Sequence, residues 1–399
     1  MALNRAMTSK KTVLLIQPSL DPPGGASGVA AWVIEALRAE YNLSILSWTA
    51  VHVDATNRYF GTSLRDSDFS VLLPFPVLRW LIDSLPVPLT LLKMQLLVRR
   101  ARLIRRRYDL LISTSNEADL GCPSIQYVHF PAAFLPRPKA DLRWYHGWTR
   151  ALDGYRRLCR SISEHSTSRV KNNLTLVNSN WTGDRVREWH GIDSMIVYPP
   201  IAGEFAAVPW PERENGFVCI GRFSPEKEFD KVIEIVASLR ARGHDTHLHL
   251  IGGTDARSSY YHAHIVRRVA ENPSWLFLHQ DLSRAELVDL IARHRYGIHG
   301  MSEEHFGMAV AEMVRGGCIV FVPRGGGQVE IVGGEERLLY VTPQEAVEKI
   351  AATLNNSFLQ LSLREMLQKQ SLLFSTDRFA AQMRALVGDF LNGSPRERD

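Results

Sequence analysis

No stretch of this 399-residue chain is apolar for long enough to form a continuous membrane-spanning helix. The segment from Val71 to Val98 is rich in leucine, but Pro74, Pro76, Arg79, Asp83, Pro86, Pro88 and Lys93 interrupt it. The apolar run after Lys11 extends only from Val13 to Ile16, too short for the core of a signal peptide, and reads as a first strand. Cysteine is scarce: Cys122, Cys159, Cys219 and Cys318 lie far apart in apolar surroundings, which offers neither metal-finger spacing nor a disulfide framework. A reducing cytoplasm is the expected setting. Charge of one sign is not in large excess either, with 47 Lys and Arg against 42 acidic residues, so the net charge of +5 does not imply nucleic acid. Short repeats and low-complexity tracts are missing, and only the tail from Gly393 to Asp399 reads as disordered.

What the sequence does contain is alternation. Short aliphatic or β-branched runs at Thr12–Ile16, Leu43–Leu46, Phe69–Leu73, Leu110–Ser113, Ile125–His129, Leu174–Asn178 and Met195–Tyr198 are separated by longer helical patterns. The pattern restarts after a Pro-containing stretch, with strands expected near Phe217–Ile220, His247–Ile251, Leu276–Leu278, Gly297–His299 and Ile319–Val322. This predicts an α/β protein of two doubly wound, Rossmann-like domains. Residues 1–199 are expected to form the first domain and 200–375 the second, with a helix at Thr376–Leu391 and the tail completing the chain to 399.

Three motifs carry chemistry. Pro22-Pro-Gly-Gly-Ala-Ser-Gly28 joins the first strand to a helix expected near Val29, and Gly24 and Gly25 can bring backbone amides towards an anion. Pro23 precedes Gly25 by two, where a dinucleotide fingerprint needs glycine, and no acid stands where a ribose would need one, so a dinucleotide site is disfavoured. A tight turn without a ligand is the alternative. The second motif, Gly221-Arg-Phe-Ser-Pro-Glu-Lys227, sets Arg222 and Lys227 before a helix, an arrangement suited to a diphosphate leaving group unless both are simply solvated. The third is Glu304-His-Phe-Gly-Met-Ala-Val-Ala-Glu312. With a helix beginning near Met308, amides around Phe306, Gly307 and Met308 point at a site, and Glu304 and Glu312 can accept hydrogen bonds from sugar hydroxyls, a ribose diol included. A capped helix with surface acids is the plain alternative.

These motifs resemble glycosyltransferase family 4, retaining enzymes of the GT-B fold, in which two Rossmann-like domains face each other across a cleft. The E-x7-E element matches Glu304 and Glu312, the diphosphate-binding pair matches Arg222 and Lys227, and the N-terminal Gly-rich loop matches Gly24-Gly25. Within that family Tyr127-Val-His-Phe-Pro131, Val177-Asn-Ser-Asn-Trp-Thr182, Val197-Tyr-Pro-Pro200, Glu304-His-Phe-Gly307 and Gly325-Gly-Gly327 with Glu330-Ile-Val332 resemble the α-1,2-mannosyltransferases of dolichol-linked oligosaccharide assembly; Gln328-Val329 stands where these have Pro-Lys. The resemblance implies a nucleotide-sugar co-substrate, GDP-mannose ahead of UDP-sugars, no cofactor, and a glycan or lipid-linked acceptor. It implies that Gly221, His305, Phe306, Gly307 and Met308 line the donor, that Glu304 holds the sugar and Glu312 the ribose, that His129 faces the sugar, and that the last helix crosses back onto the first domain. A nucleotide-sugar epimerase and a non-catalytic sugar-nucleotide-binding subunit are the competing functions.

Two charged elements lie outside these motifs. Asp66-Ser-Asp68 resembles the metal-binding D-x-D of the other major glycosyltransferase fold, but it precedes a strand and reads as a turn, so no metal is expected. From Lys93 to Arg107, Met94, Leu97, Ala101 and Ile104 form one packing face. Arg99, Arg100, Arg102, Arg105, Arg106 and Arg107 cover the rest, with Leu91, Leu92 and Leu96 outside the stripe. Such a surface suits an anionic membrane, or is an ordinary solvated face.

Overall fold

The computed structural model describes residues 10–21, 24–85, 87, 89–131, 149–253 and 259–393. Pro22, Pro23, Pro86, Pro88 and the tail from Ser394, on which expectations above fall, lie outside the described residues. The chain divides into two compact units. One takes the residues through Val177, then Gly183–Val197 and the segment from Phe379; the other takes Asn178–Thr182 and Tyr198–Arg378.

The first unit is built on seven parallel strands: β1 (Thr12–Ile16), β2 (Asn42–Leu46), β3 (Phe69–Leu72), β4 (Leu110–Ser113), β5 (Ile125–Val128), β6 (Leu174–Val177) and β7 (Met195–Ile196). Their order is β3-β2-β1-β4-β5-β6-β7. In β1, Val13 and Leu15 belong to one apolar cluster and Leu14 and Ile16 to another. Both faces of this central strand are covered, which is why its sequence is continuously aliphatic rather than alternating. The helix Thr376–Gly393 contributes Phe379, Met383 and Val387, spaced four apart on one stripe, to the cluster containing Val13 and Leu15.

The second unit has six parallel strands: β8 (Glu214–Ile220), β9 (His247–Gly252), β10 (Leu276–Gln280), β11 (His294–Ile298), β12 (Ile319–Pro323) and β13 (Leu339–Tyr340), in the order β10-β9-β8-β11-β12-β13. The α/β class and both Rossmann-like sheets are therefore as the alternation predicts. β13 was not expected: two residues carry no readable period, and its pairing with Val322 and Pro323 is tertiary. In each sheet the chain reverses its direction of travel between the first and fourth strands, β1/β4 and β8/β11. The carboxyl ends of strands flanking such a reversal are where ligands bind in open α/β sheets.

Other expectations need correction. The first helix spans Gly25–Leu37, so Gly25 to Gly28 form its first turn rather than a loop before Val29; Gly24 caps it, and no proline after Pro23 prevents the turn from closing. On the helix Thr90–Ile104, Gln95 and Val98 are buried beside Met94, Leu97 and Ala101, while Ile104 is only partly covered, so the packing face is wider and rotated from the one expected. Leu92 and Leu96 pack partly against the same cluster. Arg102 is not an outward charge. It lies 3.2 Å from the fully buried carboxylate of Asp119 and 2.9 Å from Glu164, and Arg169 also holds Asp119 at 2.8 Å. Arg99 is engaged by Glu164 as well. Exposed apolar residues gather on and around the helix Pro76–Asp83, at Phe75, Val77, Trp80 and Leu81, and Leu103 is exposed on the arginine-bearing helix itself. Asp66–Asp68 is a single 3-10 turn before β3, in which Asp68 accepts from the Arg65 backbone at 2.8 Å and pairs with Arg38 at 2.6 Å.

Candidate active site

The second unit gathers its chemistry at the carboxyl ends of β8, β11 and β12. Beyond β8, Gly221 donates its backbone N–H to Ile251, and a 3-10 turn at Pro225–Lys227 aims Lys227 back over the strand end. Beyond β11 the chain passes His299 and Gly300 before the loop that carries Glu304. A Cβ at Gly300 would lie 2.6 Å from the Lys227 carbonyl oxygen, so the two loops meet backbone to backbone and only glycine permits the approach.

That approach lets the Lys227 ammonium donate to the Glu304 carboxylate. His299 Nε2 stands 3.3 Å from the same carboxylate, and the imidazole is almost wholly buried. Burial raises the Glu304 carboxyl, but the Lys227 charge and the His299 ring outweigh it and hold it well below the usual carboxylate range. Burial pushes His299 down, against the upward pull of Glu304, which keeps the imidazole neutral near pH 7. The resulting centre has one ammonium, one carboxylate and one neutral ring packed at a strand end.

The loop is locked from the β12 side. Glu304 and Gly326 form a parallel bridge, and the Gly327 N–H donates to the Glu304 carbonyl at 2.8 Å. Gly326 has φ of 72°, and a Cβ there would stand 2.2 Å from that carbonyl oxygen. Gln328, fully buried, donates through Nε2 to Met301 at 2.8 Å and Gly325 at 3.0 Å, tying both loops together; this is what glutamine does at the place where the resemblance leads one to expect Pro-Lys. The helix Met308–Arg315 starts where the sequence indicates, with Gly307 as its N-cap, so its first-turn amides open beside Glu304.

Glu312 lies one turn into that helix, and its carboxylate accepts from Arg284, whose other terminal nitrogen donates to the Ala202 carbonyl. Arg222 is more than half exposed and lies 3.6 Å from Glu226, outside the Lys227–Glu304 contact. Three of the motif stretches converge within the second unit: the Glu330 carboxylate accepts from the backbone of Asn180 and of Trp181, each at 2.9 Å, and from the Tyr198 hydroxyl at 3.0 Å. Ser179 Oγ donates to the His305 carbonyl at 2.7 Å, and the Trp181 and His305 rings stack.

The first unit holds Gly24, Gly25 and His129. His129 follows β5; its Nε2–H donates to the Thr114 carbonyl at 3.0 Å and its backbone N–H to Asn116 at 2.8 Å. Sequence reasoning missed His299 and Arg284, and it marked Gln328 only as a departure from the family pattern. His299 directly follows β11, five residues before Glu304, a readable signal; Arg284 lies 28 residues from Glu312, and nothing local marks the pair.

Residues 202–372 match the family described as Glycosyl transferases group 1. A GDP-Man:Man(3)GlcNAc(2)-PP-Dol alpha-1,2-mannosyltransferase of Dictyostelium discoideum is 27% identical over 56% of this chain and 48% of its own length. The enzyme of the same description from Mus musculus is 26% identical over 93% of this chain and 84% of its own. Among solved structures, Anabaena HepE in complex with UDP and glucose superposes with a TM-score of 0.66 at 15% identity, covering 95% of this chain and all of that one. Sucrose-phosphate synthase from Thermosynechococcus elongatus gives 0.67 at 16% identity, covering 96% of this chain and all of that one. The strand order, the loops at the reversal of the second sheet and these likenesses agree: the chain carries a glycosyl transferase group 1 domain on the two-Rossmann framework of the GT-B glycosyltransferases.

Proposed function

We propose that the protein is a retaining hexosyltransferase that moves mannose from GDP-mannose to a glycan or lipid-linked acceptor, without a catalytic metal. The observation that carries this is the Lys227–Glu304–His299 centre at the β8/β11 reversal. Cleaving a sugar–phosphate bond builds charge on the departing diphosphate, and a fixed ammonium beside open helix amides meets that charge without reorganising. Lys227 and Arg222 take the diphosphate, Glu304 the sugar hydroxyls and Glu312 the ribose, and the family resemblance assigns His129 to the sugar. An epimerase would need an acid and a base on opposite faces of the sugar, and the relatives are described as transferases. The donor choice rests on the relatives, which are described as GDP-Man:Man(3)GlcNAc(2)-PP-Dol alpha-1,2-mannosyltransferases. Incubation with a panel of GDP- and UDP-sugars tests it: slow hydrolysis or transfer from GDP-mannose is expected, interconversion of the sugar marks an epimerase, and binding without turnover marks a silent subunit.

The acceptor side is a peripheral contact with an anionic lipid surface, made by the helix Pro76–Asp83 rather than by Arg102. Phe75, Val77 and Trp80 are each at least 70% exposed, and the Arg100 guanidinium lies over the Phe75 ring at 5.4 Å. Among the described residues no helix is long and apolar enough to cross a membrane. Shallow insertion of the aromatics with arginine at the head groups is the mode such a surface supports. Co-sedimentation with anionic but not neutral vesicles is expected, with loss in Val77→Glu/Trp80→Glu. Wild-type protein that ignores anionic vesicles at low salt rules it out.

A further inference from the structure

The opposite end of the second sheet holds a cluster that the donor chemistry does not use. β8, β9 and β11 are adjacent, and each begins with a potential metal ligand: Glu214, His247 and His294. His249, two residues along β9, shares the face of His247. Among the described residues these four form a group whose ligand atoms all lie within 4.8 Å of one another. They sit at the amino ends of strands whose carboxyl ends carry Lys227 and Glu304, and β8 alone is about 20 Å long.

We infer that Glu214, His247, His249 and His294 form a structural site for a divalent transition metal of the zinc type. The distances fit. Ligands 2.0–2.1 Å from a tetrahedral centre lie about 3.3–3.4 Å apart. His247 Nε2 and His294 Nε2 are 3.1 Å apart, and Glu214 Oε2 is 3.4 Å from the first and 3.7 Å from the second.

The protonation pattern also fits. His294 Nδ1 lies 2.7 Å from the Leu290 carbonyl, which can only accept, so Nδ1 carries the hydrogen and Nε2 presents its lone pair to the cluster. A carbonyl on the remote nitrogen is the usual device for orienting a metal-bound imidazole. His249 Nδ1 lies 2.7 Å from His279 Nε2, and with the hydrogen on Nδ1 the His279 ring accepts it and leaves His249 Nε2 for the ion. The nearby guanidinium groups are committed elsewhere: Arg240 donates to the Thr246 carbonyl and covers the Trp275 ring, and Arg293 pairs with Asp289 at 2.8 Å.

The backbone makes room for the ligands. Gly216 pairs in register with His247, and a Cβ on it would lie 2.2 Å from His247 Nε2. Any side chain there would push the imidazole off the strand and away from His294. A surface cleft of about 310 Å³ lined by Glu214, His247, His249 and Phe277 gives an ion its way in.

The metal alone tests this. Full-length protein stripped by a chelator and dialysed is titrated with Co²⁺, whose intense visible bands report tetrahedral coordination, and then with Zn²⁺ in competition. One equivalent of Co²⁺ should develop the bands, Zn²⁺ should displace it, and the melting temperature should rise with Zn²⁺. His247→Gln/His249→Gln should weaken binding at least about 100-fold, and Glu214→Gln, a half-exposed position that folding tolerates, at least about tenfold. A wild-type chain with neither Co²⁺ bands nor a Zn²⁺-dependent melting shift overturns the site, as does undiminished binding in the folded Glu214→Gln and double-histidine variants.

Discussion

Lys227→Ala is the most informative single change because it separates two consequences of one contact. Both side chains of the Lys227–Glu304 pair are less than a fifth exposed. Removing one partner of a buried pair costs about 3–5 kcal/mol, and the residual exposure here lowers that to about 1–3 kcal/mol. The loss is electrostatic: burial now acts on Glu304 without its main counter-charge, so the carboxyl rises. Glu304→Gln in the same chain removes the stranded charge and should recover most of the melting temperature. Turnover should not recover, because the ammonium that meets the leaving diphosphate is gone. Losing one such preorganised group costs about 2–4 kcal/mol, or roughly 30- to 1,000-fold in rate. Donor hydrolysis by wild type, both single variants and the double variant, with melting curves on the same samples, completes the cycle. A folded double variant with near-normal turnover refutes the role of Lys227. The pH dependence has a defined sign. The folded-state pKa of Glu304 is depressed from its ordinary 4.5, so the pair's stabilisation is fully present above that value and is lost as pH falls through the lower folded value. Chemical denaturation of wild type should therefore show this stabilisation lost only in strongly acidic solution, and Lys227→Ala should move the loss to higher pH.

Glu312→Ala should weaken binding of free nucleotide, whereas Glu304→Ala chiefly slows transfer; equal loss of nucleotide affinity in isothermal titration overturns that division. Gly326→Ala places a methyl group against the Glu304 carbonyl at a backbone angle alanine resists, so about 1–3 kcal/mol of strain and at least a tenfold loss of turnover are expected, checked by melting and donor hydrolysis. EDTA should lower the melting temperature through the histidine cluster while leaving donor turnover at 25 °C intact; activity that collapses and returns with Mn²⁺ or Mg²⁺ would reopen Asp66 and Asp68 as ligands.

The sheets were readable because buried parallel strands are written as continuous aliphatic runs, and runs such as Val13 to Ile16 admit no other use. The start of the helix at Met308 was readable too, since Gly307 before an apolar period is a local signal. What escaped depends on chain segments meeting in space. Arg102 reads as one arginine among many until Asp119, buried in a later loop, claims it. His299 looks like the end of a strand until the chain doubles back and presents Glu304 to it. The histidines at 247 and 249 do carry a signal, an H-x-H on a strand, but its completion by Glu214 and His294 requires the strand order. Gly25 to Gly28 misled for a different reason: glycines invite a loop assignment even where the first turn of a helix is being made.

The helix Thr376–Gly393 gives the chain an unusual order of completion. Phe379, Met383 and Val387 are almost wholly buried in the core of the unit that the first strands begin. At about 1.5–3 kcal/mol for each such side chain, their burial is comparable with the whole stability of a typical domain. A ribosome therefore releases most of the first unit long before the residues that finish it, while everything the second unit needs has already been made. The unit begun first is closed last, reversing the usual N-to-C sequence of domain folding. A chain stopped at residue 375 should yield a folded second unit tethered to an aggregation-prone first one.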